Sequence, residues 1–254
     1  GIIGIGAGLS LGREGPSIQL GAVTAQGVSR LMGRTRMEER YLLTSGASAG
    51  LAAAFNAPLA GVIFALEELH RNFSIMVLLP SMAAAFTATI ISRAIFGRAT
   101  IFDIPYLQLL PISYYGIVIL VALASGLAGV IFNWGLLNIG RFYSLPCFKR
   151  PVQKIAFALI CAGILGYFLP EVLGGGNDLI NHLAKAPVSL QLLLIFLAGK
   201  LIFTLISYGC GVPGGFFLPM LVIGALCGSI CAQMLIMLGW IEPAYATNIM
   251  VVAM

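Results

Sequence analysis

The sequence predicts an all-α, polytopic membrane protein built from short, tilted and broken helices, and three observations carry that prediction. The 254 residues are 59% hydrophobic and 9% charged, with a mean hydropathy of +1.01, far above the apolar share of ordinary soluble domains. Charge-free runs extend over Tyr41 to Leu66, Asn72 to Ser92, Ile104 to Gly140 and Leu201 to Ile241, and a helix needs only about 20 apolar residues to cross a bilayer. The alternating strands of about ten residues that make an outer-membrane barrel are missing.

The elements follow in order. A helix over Pro16–Leu31 ends at a basic loop carrying Arg30, Arg34, Arg36 and Arg40. The run 41–66 leaves that loop and is broken at Asn56-Ala57-Pro58, because proline lacks the helical donor and clashes with the preceding turn. Two short helices joined near mid-membrane are therefore expected, returning by Arg71. The run 72–92 crosses again, the stretch from about 110 to 140 comes back, and 151–169 leaves once more. A second basic loop carries Arg141, Lys149, Arg150 and Lys154, whereas the stretches 93–112 and 170–187 hold only Arg93, Arg98 and Lys185. The positive-inside rule places the first set in the cytoplasm. Each basic loop lies beside an apolar run, so topology explains it more simply than nucleic-acid binding.

The chain begins at Gly1 without a methionine or a basic leader and stops at Met254 inside an apolar stretch, so an internal piece of a longer protein is expected. Cys147, Cys161, Cys210, Cys227 and Cys231 form no CxxC pair. Cys227 and Cys231 lack His or acidic neighbours, so the cysteines read as buried thiols and no metal site is expected.

Residues 12–22, GREGPSIQLGA, align with residues 215–225, GFFLPMLVIGA. Both read G-x-x-x-P-x-x-x-x-G-A, which matches Gly12, Pro16, Gly21 and Ala22 to Gly215, Pro219, Gly224 and Ala225. Internal repeats with paired interrupted helices are how many transporters build a binding site. In each copy, glycine permits unusual backbone angles and proline suits the first turn of a new helix. A helix that starts at membrane depth offers unpartnered amides and the positive end of its dipole. Two such starts would bind an anion without a full positive charge, and would release it readily. Glu14 sits among these amides. Ionised, it would occupy the anion's place; protonated, it would leave it, which makes it a gate and proton carrier. The plainer reading is a helix cap paired with Arg13.

Three stretches, GREGP at 12–16, GLAAAFNAPLAGVIFALEE at 50–68 and GVPGGFFLP at 211–219, resemble the CLC family of chloride channels and chloride/proton exchangers. The resemblance covers essentially all 254 residues. It implies the central part of one transmembrane domain made of antiparallel, inverted repeats, the first about 1–97 and the second about 108–254, both incomplete. It also implies a homodimer in the cell (inner) membrane, with one anion pathway per subunit and no cofactor, chloride being the transported ligand. Glu14 matches the gating glutamate. The backbone amides of Gly215, Phe216, Phe217 and Leu218 match the central anion site, and those of Gly12, Arg13, Glu14 and Gly15 the outer one. Where the family usually has isoleucine this chain has Phe216, a change of packing more than of backbone chemistry. A serine ligand would precede Gly1 and a tyrosine ligand would follow Met254.

Glu67 and Glu68 end an apolar helix before Arg71. At 3.6 residues per turn they point about 100° apart and cannot share one role. Acids at a helix exit are often solvated surface groups, but Glu68 aligns with the internal proton-transfer glutamate of the exchangers. The resemblance therefore implies chloride/proton antiport, with a passive voltage- or pH-gated chloride channel as the alternative. An intramembrane enzyme has little to rest on: His70 and His182 are the only histidines, and neither lies in a metal or nucleophile motif. A purely structural membrane subunit leaves a buried GREGP without a reason. GGGN at 174–177 reads as an extracellular turn, since no GK[ST] follows. Gly4, Gly6, Gly8 and the alanines at 52–54 are expected to permit close helix contacts.

Overall fold

The computed structural model describes residues 1–97, 102, 104, 107–186 and 188–254; Arg98 lies outside them. Among the described residues the regular structure is helix alone, with one isolated antiparallel bridge between Gly12 and Gly215. The chain divides into two compact units, Arg13–Ile101 and Gly1–Gly12 with Phe102–Met254.

The smaller unit holds α2 (Glu14–Leu31), α3 (Arg36–Phe55), α4 (Pro58–Phe64), a π-helical turn at Ala65–His70, and α5 (Ile75–Phe96). Helices α2 and α3 form an antiparallel hairpin through Gly33, whose φ of +62 suits glycine. Their backbones nearly touch: a Cβ at Gly21 would lie 2.1 Å from the Gly46 carbonyl oxygen, and one at Gly50 would lie 2.2 Å from that of Ser17. Thr35 opens α3 with a capping box, accepting from the Glu38 amide while its own amide donates to the Glu38 carboxylate. The Thr35 amide and hydroxyl hold the Glu38 carboxyl below its ordinary range, so this cap is complete above pH 4.5 and is lost as the solution is acidified below it.

The break at Asn56-Ala57-Pro58 is present, with Asn56 left-handed at φ 55 ending α3 and Pro58 beginning α4. Its depth differs from expectation. Arg93, in the last turn of α5, donates from Nε to Asn56 Oδ1 at 2.6 Å and from a terminal nitrogen to the Asn56 carbonyl. The break is therefore level with the end of α5 and not with its middle. Ser48 also reaches the Ser81 carbonyl, so α3 and α5 run parallel, and α4 with the π turn returns between them. The return ends with the His70 ring 5.9 Å from that of Tyr41, near the start of α3, as the charge map requires.

The larger unit holds α1 (Ile2–Gly6), α6 (Tyr115–Phe142), α7 (Pro151–Phe168), α8 (Asn177–Lys185), α9 (Leu190–Gly209), α10 (Phe217–Met237) and α11 (Ala246–Ala253). Helix α10 is central and touches α6, α8, α9 and α11, over a core that includes Leu9, Leu11, Ile180, Phe203, Val222 and Leu226. Five described elements, Ile75–Phe96, Ile112–Phe142, Pro151–Phe168, Leu190–Gly209 and Phe217–Met237, are long and apolar enough to cross a membrane. On α6, Leu123, Leu127, Val130 and Trp134 are all exposed, the kind of surface lipid covers and water does not.

Helices α10 and α11 repeat the local design of α2 and α3. Gly239, with φ +71, follows α10, and a Cβ at Gly224 would lie 2.5 Å from the Ala253 carbonyl oxygen. The aligned glycines Gly21 and Gly224 thus do the same work, each letting a following helix approach. Of the glycines expected to do so, Gly6 faces open space, while a Cβ at Gly4 would meet Val212 at 2.7 Å. Replacing Gly21 or Gly224 by alanine should cost about 1–3 kcal/mol through overpacking and lower the thermal midpoint in detergent, while Gly6→Ala should leave it unchanged.

Candidate functional site

The site begins with two backbone hydrogen bonds. The Gly12 amide donates to the Gly215 carbonyl at 2.7 Å, and the Gly215 amide donates to the Gly12 carbonyl at 2.9 Å. Two residues beyond Gly12, Glu14 begins α2; two residues beyond Gly215, Phe217 begins α10. Pro16 and Pro219 are each the third residue of their helix, where a missing N–H costs no intrahelical bond. The repeated motif is therefore a repeated helix start.

This pairing corrects one expectation. Gly12 and Gly215 were matched to the anion-binding amides, but each N–H is committed to the partner's carbonyl. Both glycines position helix starts; neither has an amide to give to an ion. Arg13, Glu14 and Gly15 lie at the start of α2, and Phe216, Phe217 and Leu218 at that of α10. Glu14 is 4% exposed, whereas Arg13 is exposed. The Phe216 ring meets Tyr208 edge-on at 5.5 Å and lies 6.5 Å from Phe132, so the aromatic that replaces isoleucine is taken up by packing against α9 and α6.

A buried polar brace holds the segment before Gly12. The Ser10 amide donates to Ser207 Oγ at 3.1 Å, and Ser10 Oγ pairs with Thr204 Oγ1 at 2.8 Å. Thr204 in turn donates to the Lys200 carbonyl at 2.7 Å. All four residues are fully buried. Gly214 also runs against Leu11, with a Cβ there reaching Leu11 Cβ at 2.7 Å. The strand-like meeting of Gly12 and Gly215 is thus fixed from two sides.

Glu67 and Glu68 are exposed and lie in the π-helical turn. Because that turn is wider than 3.6 residues, the angle between them is not the expected α-helical one; π turns recur at functional sites. Among the described residues no group of three His, Cys, Asp or Glu is placed to hold a metal. Lys200 went unnoticed in the sequence, although a lone lysine between Leu190–Gly199 and Leu201–Gly209 is a signal in itself. Its ammonium donates to the carbonyls of Val172 and Gly174 at 2.9 and 2.7 Å. The glycine-rich turn at 174–176 wraps this group.

Comparison with known proteins agrees with these features. A family model described as voltage gated chloride channel matches residues 1–254. An H(+)/Cl(−) exchange transporter ClcA of Citrobacter koseri is 37% identical over 234 residues, 89% of this chain and 49% of that protein. One from Vibrio cholerae is 34% identical over 231 residues, 88% and 49%. Among solved structures, a slow cyanobacterial Cl−/H+ antiporter superposes with a TM-score of 0.86 at 31% identity, covering 98% of this chain and 58% of the other. A CLC-type fluoride/proton antiporter gives 0.75 at 28%, covering 97% and 59%.

The apolar helices and the bacterial relatives make this a multi-pass α-helical protein of the cell (inner) membrane. The chain belongs to the voltage gated chloride channel family, the CLC proteins, and spans about half the length of the curated relatives it matches. Thr204→Val should leave the buried Ser10 hydroxyl without its partner, at a cost of about 1–3 kcal/mol, read as a lower thermal midpoint with unchanged helix content.

Proposed function

We propose that this chain is the central part of a secondary-active exchanger that moves chloride in one direction and protons in the other. The observation that carries the reading is the reciprocal Gly12–Gly215 pair with a long helix starting two residues past each glycine. Helix starts of this kind present amides and a positive dipole end to an anion. The amides of Phe216, Phe217 and Leu218 serve the central anion, and those of Arg13, Glu14 and Gly15 the outer one. Similarity to proteins named exchange transporters and antiporters supports exchange over passive conduction.

Glu14 is the side chain that alternates with the anion: ionised it occupies the ion's place, and protonated it withdraws. Protons reach it from Glu68 on the cytoplasmic side, through water. The complete protein works as a homodimer with one pathway per subunit and needs no cofactor; its transmembrane domain comprises two inverted repeats, incomplete here at about 1–97 and 108–254. No enzymatic step belongs to this scheme.

In liposomes holding the full-length protein, Glu14→Ala should keep chloride flux and abolish the proton movement it drives. Glu68→Gln should also uncouple protons while the anion gate remains. Uphill proton transport by Glu68→Gln on a chloride gradient would remove Glu68 from the scheme. A reversal potential that ignores a pH gradient in the parent protein would make it a channel.

A further inference from the structure

We propose that Lys200 is a positioning residue for the transported anion: its ammonium, set behind the start of α10, strengthens binding at the Phe216–Leu218 amides without touching the ion. The inference rests on the anion reading above and deepens it.

Lys200 lies midway along the candidate span α9 and is fully buried. Its ammonium is held by two backbone carbonyls, those of Val172 and Gly174. Among the described residues no carboxylate pairs with it, and its hydrogen-bond partners are those two carbonyls. A buried cation answered only by carbonyl dipoles is costly in a membrane. Methionine would fill the same space without that cost, so packing alone does not account for the charge.

Its position gives the charge a use. A Cβ built on Gly176 would lie 3.2 Å from Lys200 Nζ and 2.6 Å from Val222 Cγ2, and one on Gly175 would lie 3.5 Å from Leu218 Cδ1. The glycine turn is therefore a thin spacer between the ammonium and the first turns of α10, and side chains on it would push the two apart. Val222 is five residues past Phe217, roughly 7.5 Å along the axis, which sets the ammonium about 10 Å from the helix start. At that separation, with an effective dielectric of about 20, a unit charge alters anion affinity on the order of tenfold. The charge adds to the dipole of α10, yet stands far enough back to leave the ion mobile.

The test is chloride binding by the purified full-length protein, followed by titration calorimetry with thermal stability measured alongside. Lys200→Gln keeps two N–H donors for the same carbonyls and removes the charge; Lys200→Met removes both; Lys200→Arg keeps the charge. The proposal expects Gln and Met to weaken chloride binding on the order of tenfold, with Arg close to the parent. Parent-like affinity in a folded Gln or Met variant overturns it. So does failure of both neutral variants to fold while Arg folds, because the role is then bracing alone. Absence of chloride binding by the parent would instead overturn the anion reading, and this step with it.

Discussion

The reciprocal hydrogen bonds between Gly12 and Gly215 are the constraint on which the rest depends. They join residues about 200 positions apart in the only strand-like contact among the described residues. Each glycine uses both of its backbone groups on the other, so the register has no slack: a slip of one residue would break both bonds. Because α10 starts two residues past Gly215, that register also fixes where its first amides lie. Outside a membrane, water would satisfy such irregular backbone. Inside one, the groups must find each other, which explains why a brace of Ser10, Thr204 and Ser207 is buried beside them.

Much of this was legible in the sequence. The glycine and proline spacing of the two motif copies marked both helix starts, and the basic loops marked which ends of α3, the π turn and α5 lie together. What escaped has identifiable causes. The family resemblance matched Gly12 and Gly215 to ion-binding amides, but a sequence motif does not show that an amide donates to a distant carbonyl. Pro58 marked the break after α3 but not its depth, which Arg93 sets from 37 residues away. The π turn at Ala65–His70 leaves no mark in an apolar pattern read at 3.6 residues per turn.

Lys200 and the glycine turn illustrate the same limit from the other direction. Taken singly, GGGN reads as a surface turn and a lone lysine as an interruption in a span. Together they are one object, since Gly174 and Gly176 adopt φ of +62 and +91 while the carbonyls of Val172 and Gly174 receive the ammonium. The Gly174 amide donates to the Gly8 carbonyl at 2.9 Å, which ties this turn to the segment ending at Gly12. Polar groups that the sequence scatters over nearly the whole chain thus form one connected support behind the start of α10.

In the proposed function, the amides opening α10 hold the transported anion. The most direct measurement is a bromide-soaked crystal of the full-length protein, with the anomalous difference map read at this place. If they do, a bromide peak lies within about 3.5 Å of the Phe216 and Phe217 amide nitrogens, the reach of an N–H donor to a large acceptor. A map whose bromide peaks all lie elsewhere, with these two amides donating to protein carbonyls, would contradict it.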